Sequence, residues 1–484
     1  MSKSRMPSQK YRPFPSVDLP DRQWPSRRIE APPRWCSVDL RDGNQALVEP
    51  MGPERKRLLF DALVRMGVRE IEVGFPSASK PEFDFVREVV ERGVPEGVTI
   101  QVLTQAREPL VRRTFEAIRG APRAVVHLYN STSEVQRRVV FGKDRAGIVE
   151  IAVEGVRLVR ALAAELPETE VVLEYSPESF TGTELDFAAE ICEAVMEAWG
   201  ASPERPVILN LPATVELATP NVYADQIEWF ARHVRNDGRY VLSVHPHNDR
   251  GTAVAAAELS VMAGAHRVEG TLFGNGERTG NVDLVTLALN LHTQGVDPGL
   301  DLSDLDQLVR LAEHVTRMPV HPRHPYAGRL VYTAFSGSHQ DAIRKGFAVR
   351  EAEGGADGAG PRWEVPYLPI DPADVGRTYE EVIRVNSQSG KGGVGWVLET
   401  HGGIRASRER LVEFAGVVQE AAEARGADLA PAEILEILGA RLRRPERLTG
   451  ARPAAGPGWA QAGAPRGRVR APAGRASFHA HARR

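Results

Sequence analysis

The stretch VLSVHPHNDRG (241–251) sets two histidines one residue apart at the end of an apolar run. On a strand, side chains two apart point to the same face, so His245 and His247 can converge on one ion or one substrate. A polar strand end, with both imidazoles satisfied by backbone carbonyls, is the plainer alternative. Other segments supply partners for a shared site: Arg41 and Asp42 in LRDGNQ (40–45), and Asn281 at the end of LFGNGERTGN (272–281). An aspartate, two same-face imidazoles and an amide would offer mixed oxygen and nitrogen ligands to a divalent cation such as Zn2+, Mn2+ or Mg2+, with positions left open for substrate. Pro246 between the histidines suits a strand end, where no ladder donor is needed.

The elements that must position these residues follow a rhythm. Eight strand-like runs start near residues 35, 70, 100, 123, 170, 205, 240 and 267, each followed by a helical stretch. In LDFAAEICEAVMEAWG (185–200), Leu185, Ala188, Ala189, Cys192, Val195, Met196 and Trp199 recur at helical spacing. Eight such units predict an α/β fold, a (β/α)8 TIM barrel over 35–297, with a doubly wound open sheet as the rival. In such a barrel the chemistry sits at the C-terminal strand ends. Those ends carry Arg41 and Asp42, Glu72, His127, then Glu174, Ser176 and Glu178, then Asn210 and Thr214, then His245 and His247, and finally the loop with Gly274, Asn275, Gly276 and Asn281. Core packing does not require so many ionisable groups at one rim, which moves the reading of the histidines toward metal.

The remaining chain divides by composition. Residues 1–34 read as an extended arm, draped on the surface or disordered. Residues 298–370 form a linker subdomain and 371–447 a helical one, with helices expected at 303–319, 411–426 and 431–444. EAEGGADGAGP (351–361) reads as a flexible loop, and residues 448–484, rich in Ala, Gly, Pro and Arg without any acid, read as a disordered tail. A net charge of −3 gives no general case for nucleic acid or membrane binding. Two distant cysteines form neither a disulfide framework nor a metal motif, and no apolar run reaches membrane-spanning length, so a cytoplasmic protein is expected.

Several residues have simpler readings. Glu72 would line the barrel and pair with Arg41, Asp249 and Arg250 would form a loop salt bridge, and His321, His324 and His401 would be surface histidines. SQSGKGG (387–393) lacks P-loop spacing and reads as a glycine turn before a strand. The basic tail reads as a solubilising end.

The long motifs carry a resemblance. LRDGNQ (40–45), GFPSAS (74–79), HLYNSTS (127–133), EYSPESFTGTE (174–184), NLPATVE (210–216), HPHNDRGTA (245–253) and LFGNGERTGN (272–281) are similar to those of acyl-CoA-dependent Claisen-condensing enzymes, most closely the 2-isopropylmalate synthase family of longer bacterial type. HPYAGRLVYTAFSGSHQDAI (324–343) and PYLPIDPADVGRTYEEVIRVNSQSGKGG (366–393) extend the match, which covers roughly residues 20–445.

The resemblance implies an acyltransferase that condenses acetyl-CoA with 2-oxoisovalerate, hydrolyses the thioester and opens leucine biosynthesis. Homocitrate, citramalate or other alkylmalate synthesis, or a catalytically silent 2-oxo-acid-binding paralogue, remain alternatives. It implies Asp42, His245, His247 and Asn281 as metal ligands. Arg41 would stabilise the alkoxide, and Arg41, His127, Ser176, Thr214, Gly274, Asn275 and Gly276 would contact substrate. Glu178, or His339 with Tyr367 reaching in from a neighbouring subunit, would be the base, which implies a homodimer with exchanged subdomains. A divalent ion, acetyl-CoA and a monovalent activator such as K+ complete the set. The family's long form carries a leucine-binding regulatory domain where this chain has its low-complexity tail, so that domain is expected to be lacking.

Overall fold

A computed structural model describes Met6 and residues 8–334, 336–353, 362–377, 391–425, 429–442 and 459–461. The chain forms two compact units, one of residues 1–331 with 373–377, the other comprising 332–372 and 378–484.

The first unit is a closed barrel of eight parallel strands in sequence order. These are β1 (Arg34–Ser37), β2 (Glu70–Gly74), β3 (Thr99–Gln105), β4 (Arg123–Ser131), β5 (Glu170–Glu178), β6 (Val207–Ala213), β7 (Tyr240–Pro246) and β8 (Arg267–Gly270). Eight helices alternate with them: α1 (Pro53–Met66), α2 (Lys80–Arg92), α3 (Glu108–Ile118), α4 (Arg145–Ala164), α5 (Leu185–Trp199), α6 (Pro220–His233), α7 (Ala253–Met262) and α8 (Leu284–His292). β1 pairs with β8, Trp35 opposite Val268, and this pairing closes the ring. Local chemistry marks the boundaries. Ser79 and Asp144 cap α2 and α4 by accepting the N–H groups of Glu82 and Gly147, and Gly67 ends α1 at φ 104°, a backbone that favours glycine. The core between helices and barrel is apolar; Leu59, Phe85, Phe187 and Trp199 are buried there.

All eight expected strands form, but five of the stretches that read as strand, WCSVDLRDG (35–43), EIEVGFP (70–76), RPVILNLPAT (205–214), YVLSVHPHND (240–249) and RVEGTLFGNGER (267–278), run past the strands themselves. WCSVDLRDG leaves the sheet at Ser37, and residues Asp39–Gly43 form a wide helical turn. RVEGTLFGNGER leaves it at Gly270, where a Cβ would stand 2.6 Å from the Val282 carbonyl oxygen, and YVLSVHPHND leaves it at Pro246. Strands end where rim loops cross over them.

The arm is docked rather than free. Arg22 and the Trp24 indole bond Asp225 on α6, while the Gln23 and Trp24 amides donate to Glu228. After α8, the helix expected at 303–319 spans Leu305–Thr316 (α9).

In the second unit, α10 (Gly337–Glu353), α11 (Lys391–Gly402), α12 (Arg408–Arg425) and α13 (Pro431–Leu442) are helical. Val397, Leu398, Phe414, Val418, Ile434 and Leu438 form the shared core of α11, α12 and α13. The strand expected after SQSGKGG is instead α11, which starts at Lys391, because Val394, Val397 and Leu398, at helical spacing, face that helical core. Most of the loop expected at 351–361 and most of the tail lie outside the described residues.

Candidate active site

Parallel barrel strands point alternate residues inward, and here strands β2 to β8 each spend at least one inward position on a polar side chain. The Gln101 amide donates to Glu72 and Glu269 and accepts from Arg267. Glu72 accepts from His127 Nδ1 at 3.0 Å, and His127 Nε2 meets the Ser176 hydroxyl at 2.7 Å. The Asn210 amide then joins Ser176 to Glu269. Arg267, fully buried, pairs with Glu70 and Glu269 and stands 3.4 Å from Glu174. Burial pushes the Glu174 carboxyl well up, although Arg267 pulls against it, and His127 Nε2 also stands 3.4 Å from it. Glu269 is drawn the other way: burial opposes its charge, but Arg267 and His245 outweigh it.

Above this layer sits the cluster expected from the sequence. The wide turn after β1 points Arg41 and Asp42 into the barrel mouth. Asp42 Oδ2 lies 3.2 Å from His245 Nε2 and 3.5 Å from His247 Nε2, and Asn281 Oδ1 lies 2.7 Å from His245 Nε2. The two imidazoles stand face to face, 5.1 Å apart. Arg41 is clamped at 2.5 Å by Glu72, as expected, and reaches Asp42 at 3.3 Å.

These residues fit a divalent ion. The ligand atoms of Asp42, His245 and His247 lie within 4.8 Å of one another. His247 Nδ1 is buried without a hydrogen-bond partner among the described residues, while His245 Nδ1 donates to Glu269 at 2.8 Å and so aims Nε2 at the cluster. The charges are arranged to match. Burial works against ionisation of Asp42, but Arg41 and the histidines hold its carboxyl far below the usual range. His245 loses ground to burial and regains more from Asp42 and Glu269, reaching about 10, whereas burial and its neighbour His245 press His247 down to about 4.

The cluster opens into a cavity of about 270 Å3. Arg41, His127, Ser176, Glu178 and Thr214 line it, together with Phe75, Leu103, Tyr129, Pro212, Glu277 and Arg278. Glu178 accepts from the Ser131 hydroxyl, and the Thr214 hydroxyl accepts the Ser179 N–H at 2.9 Å. A larger cavity, about 910 Å3, lies outside the barrel between α4 and α5 and holds none of these groups.

Gly274, Asn275 and Gly276 do not line the active cavity. The Asn275 amide donates to the Gly43 carbonyl, and a Cβ on Gly276 would meet the Asn281 amide at 2.2 Å, so this loop shapes the seat of Asn281. Two simpler readings need correcting. Asp249 pairs with Arg278, at 2.6 Å, rather than with Arg250; and His324 is largely buried, 3.1 Å from Asp283, rather than a surface histidine. In the second unit the exposed rings of His339 and Tyr367 stack 3.9 Å apart, and Tyr367 holds φ 65°, a left-handed backbone that few non-glycine residues adopt.

Residues 32–312 match the family model described as HMGL-like, and residues 329–399 match that of the alpha-isopropylmalate synthase post-catalytic domain. A 2-isopropylmalate synthase of Clavibacter michiganensis is 62% identical over 90% of this chain and 75% of its own. One from Rhodospirillum rubrum is 63% identical over 87% and 75%, and one from a Parafrankia species 61% over 92% and 78%. The chain belongs to the 2-isopropylmalate synthase family. Among solved structures, a hydroxymethylglutaryl-CoA lyase from Pseudomonas aeruginosa is similar at 21% identity, covering 60% of this chain and 96% of its own, with a TM-score of 0.49.

For this family member the sequence reading missed the layer beneath the rim: Gln101, Glu269 and Arg267 were not singled out. A signal existed, since Gln101 interrupts an apolar strand and Arg267 and Glu269 alternate along β8. Glu277 and Arg278 were hidden because only the loop's fold turns them toward the cavity.

Proposed function

We propose that the protein is a 2-isopropylmalate synthase, condensing acetyl-CoA with 2-oxoisovalerate and hydrolysing the thioester to give 2-isopropylmalate and CoA, the first committed step of leucine biosynthesis. One observation carries this: Arg41, Asp42, His245 and His247 converge with Glu178 and Thr214 on a single cavity, in a chain 61–63% identical to synthases of that name.

Asp42, His245, His247 and Asn281 would hold the divalent ion, which when bound supplies Lewis-acid polarisation of the 2-oxo acid's carbonyl. The other steps fall to side chains. Arg41, fixed by Glu72, is preorganised for the negative charge that develops on the carbonyl oxygen as the carbon–carbon bond forms. The Thr214 hydroxyl already accepts the Ser179 N–H, so its own proton is free to donate to the substrate carboxylate. His127 and Ser176, with Phe75, Leu103, Tyr129 and Pro212, form the wall that a branched side chain would meet.

A proton leaves the acetyl methyl group for Glu178, or for the His339–Tyr367 pair, and the resulting carbanion attacks the carbonyl carbon. Water then adds to the thioester, the carbon–sulfur bond breaks, and the thiolate leaves as CoA. The left-handed backbone at Tyr367 supports a role for that pair, because strain of this kind concentrates at functional sites. We assign the pair to the partner's site in a homodimer with exchanged subdomains. Both cysteines are free and buried, which supports a cytoplasmic location; no described helix is long and apolar enough to cross a membrane.

Thiol release from acetyl-CoA, followed before and after stripping and restoring divalent metal, tests the reading. Metal-dependent release that is fastest with 2-oxoisovalerate is expected. Release that survives chelation, or that is faster with pyruvate, 2-oxobutyrate or 2-oxoglutarate, would refute it.

A further inference from the structure

The loop after β8 carries Asn281 and is built for tightness. A Cβ on Gly280 would stand 1.8 Å from the Gly274 carbonyl oxygen, and both glycines hold positive φ. Within this run Arg278 also adopts φ 56°, although it has a side chain that this backbone disfavours. If conformation alone mattered, a fourth glycine would serve here. An arginine under strain points to a requirement for its guanidinium.

That guanidinium has three bonds. Nε donates to Asp249 Oδ1 at 2.6 Å, and one terminal nitrogen donates to Asp249 Oδ2 at 3.1 Å and to the Thr214 carbonyl at 2.5 Å. Asp249 in turn accepts the Glu216 N–H at 3.0 Å, and Glu216 accepts from the Arg250 N–H and the Thr252 hydroxyl. The ends of β6, β7 and β8 are thus tied at one point. Two and three residues past Arg278, the backbone is held by Asn248 N to Gly280 O at 2.9 Å and Asn281 N to Gly274 O at 3.1 Å.

We propose that Arg278 is a positioning residue: its forked bond to Asp249 and Thr214 sets the loop so that the Asn281 amide meets the metal cluster, and couples that seat to the substrate-facing end of β6. This deepens the metal reading above and rests on it. Lysine keeps the charge but not the fork, so Arg278→Lys separates geometry from electrostatics.

Full-length wild type and the variants Arg278→Lys, Arg278→Gly and Asp249→Asn would be titrated with Co2+ alone, following the visible absorption of the bound ion, and with Zn2+ by calorimetry. The wild-type titration tests the metal site; the difference between wild type and variants tests Arg278. Metal affinity about 10-fold or more lower in all three variants is expected, with an altered Co2+ spectrum and little change in the melting of the metal-free protein. The Asp249→Asn/Arg278→Gly double variant should be no worse than either alone. Wild-type affinity and spectrum in Arg278→Lys and Arg278→Gly would overturn the assignment, as would a wild type that binds no divalent ion, which would also remove the metal reading.

Discussion

Glu269 on β8 holds the Nδ1 proton of His245 on β7 at 2.8 Å, and both side chains are buried. The carboxylate fixes which imidazole nitrogen faces Asp42 and raises the basicity of that nitrogen. Glu269→Gln should therefore lower Zn2+ affinity by about 10–100-fold in a calorimetric titration. The same carboxylate pairs with Arg267, so folding stability in urea should also fall, by about 3 kcal/mol. Unchanged affinity alongside reduced stability would restrict Glu269 to a structural role.

Asp39 gives a pH dependence of the fold. Burial, against the bonds from Ser37 and the Leu272 N–H, pushes its carboxyl from 3.8 up to about 7. A carboxyl with a raised folded pKa binds its proton more tightly when folded. Its contribution to stability is therefore present below about pH 4 and lost as pH rises toward about 7. Asp39→Asn removes that dependence. Urea unfolding of the two proteins should show the variant gaining on wild type by on the order of 4 kcal/mol between about pH 4 and 8. A difference that stays flat with pH would mean that Asp39 is ionised in the fold throughout.

Gly280→Ala should damage the site more than the barrel. The added carbon would overlap the Gly274 carbonyl oxygen at a φ of 99°, so the loop must move and take Asn281 with it. Turnover should fall by about 100-fold or more, while circular dichroism remains that of wild type. Near-normal turnover would show that Asn281 tolerates displacement.

Mixing inactive subunits tests the exchange of subdomains. Asp42→Ala disables the barrel site and His339→Ala the stacked pair, so each homodimer should be inactive. If the pair acts across the dimer, random co-refolding should restore about a quarter of wild-type turnover, one intact site in each mixed dimer. No recovery in mixtures shown by mass to contain mixed dimers would place His339 within its own subunit's site.

Periodicity made the barrel legible, because eight apolar runs separated by amphipathic helices admit few other folds. The cluster was legible through spacing: His245 and His247 are two apart on a strand end, and Arg41 and Asp42 stand at the matching end of β1. The supporting layer was harder to see. Gln101, Glu174, Asn210, Arg267 and Glu269 come from four strands, and their bonding depends on inward register, which no single segment encodes. Arg278 was illegible for a related reason: its partners Asp249 and Thr214 lie 29 and 64 positions away, brought near by ring closure.

Asp42 and His245 are separated by 203 positions, yet β1 and β8 are hydrogen-bonded neighbours, so an ion held by Asp42, His245 and His247 would span the last seam of the ring. During synthesis such a clasp cannot exist until residue 281 has been made and the first strand has found the eighth. Closing so long a loop costs entropy that local contacts do not return. An ion that binds only the closed ring draws the population toward it in proportion to its concentration. Metal supply would then govern how much of the chain survives as a finished barrel, in addition to how fast each barrel turns over.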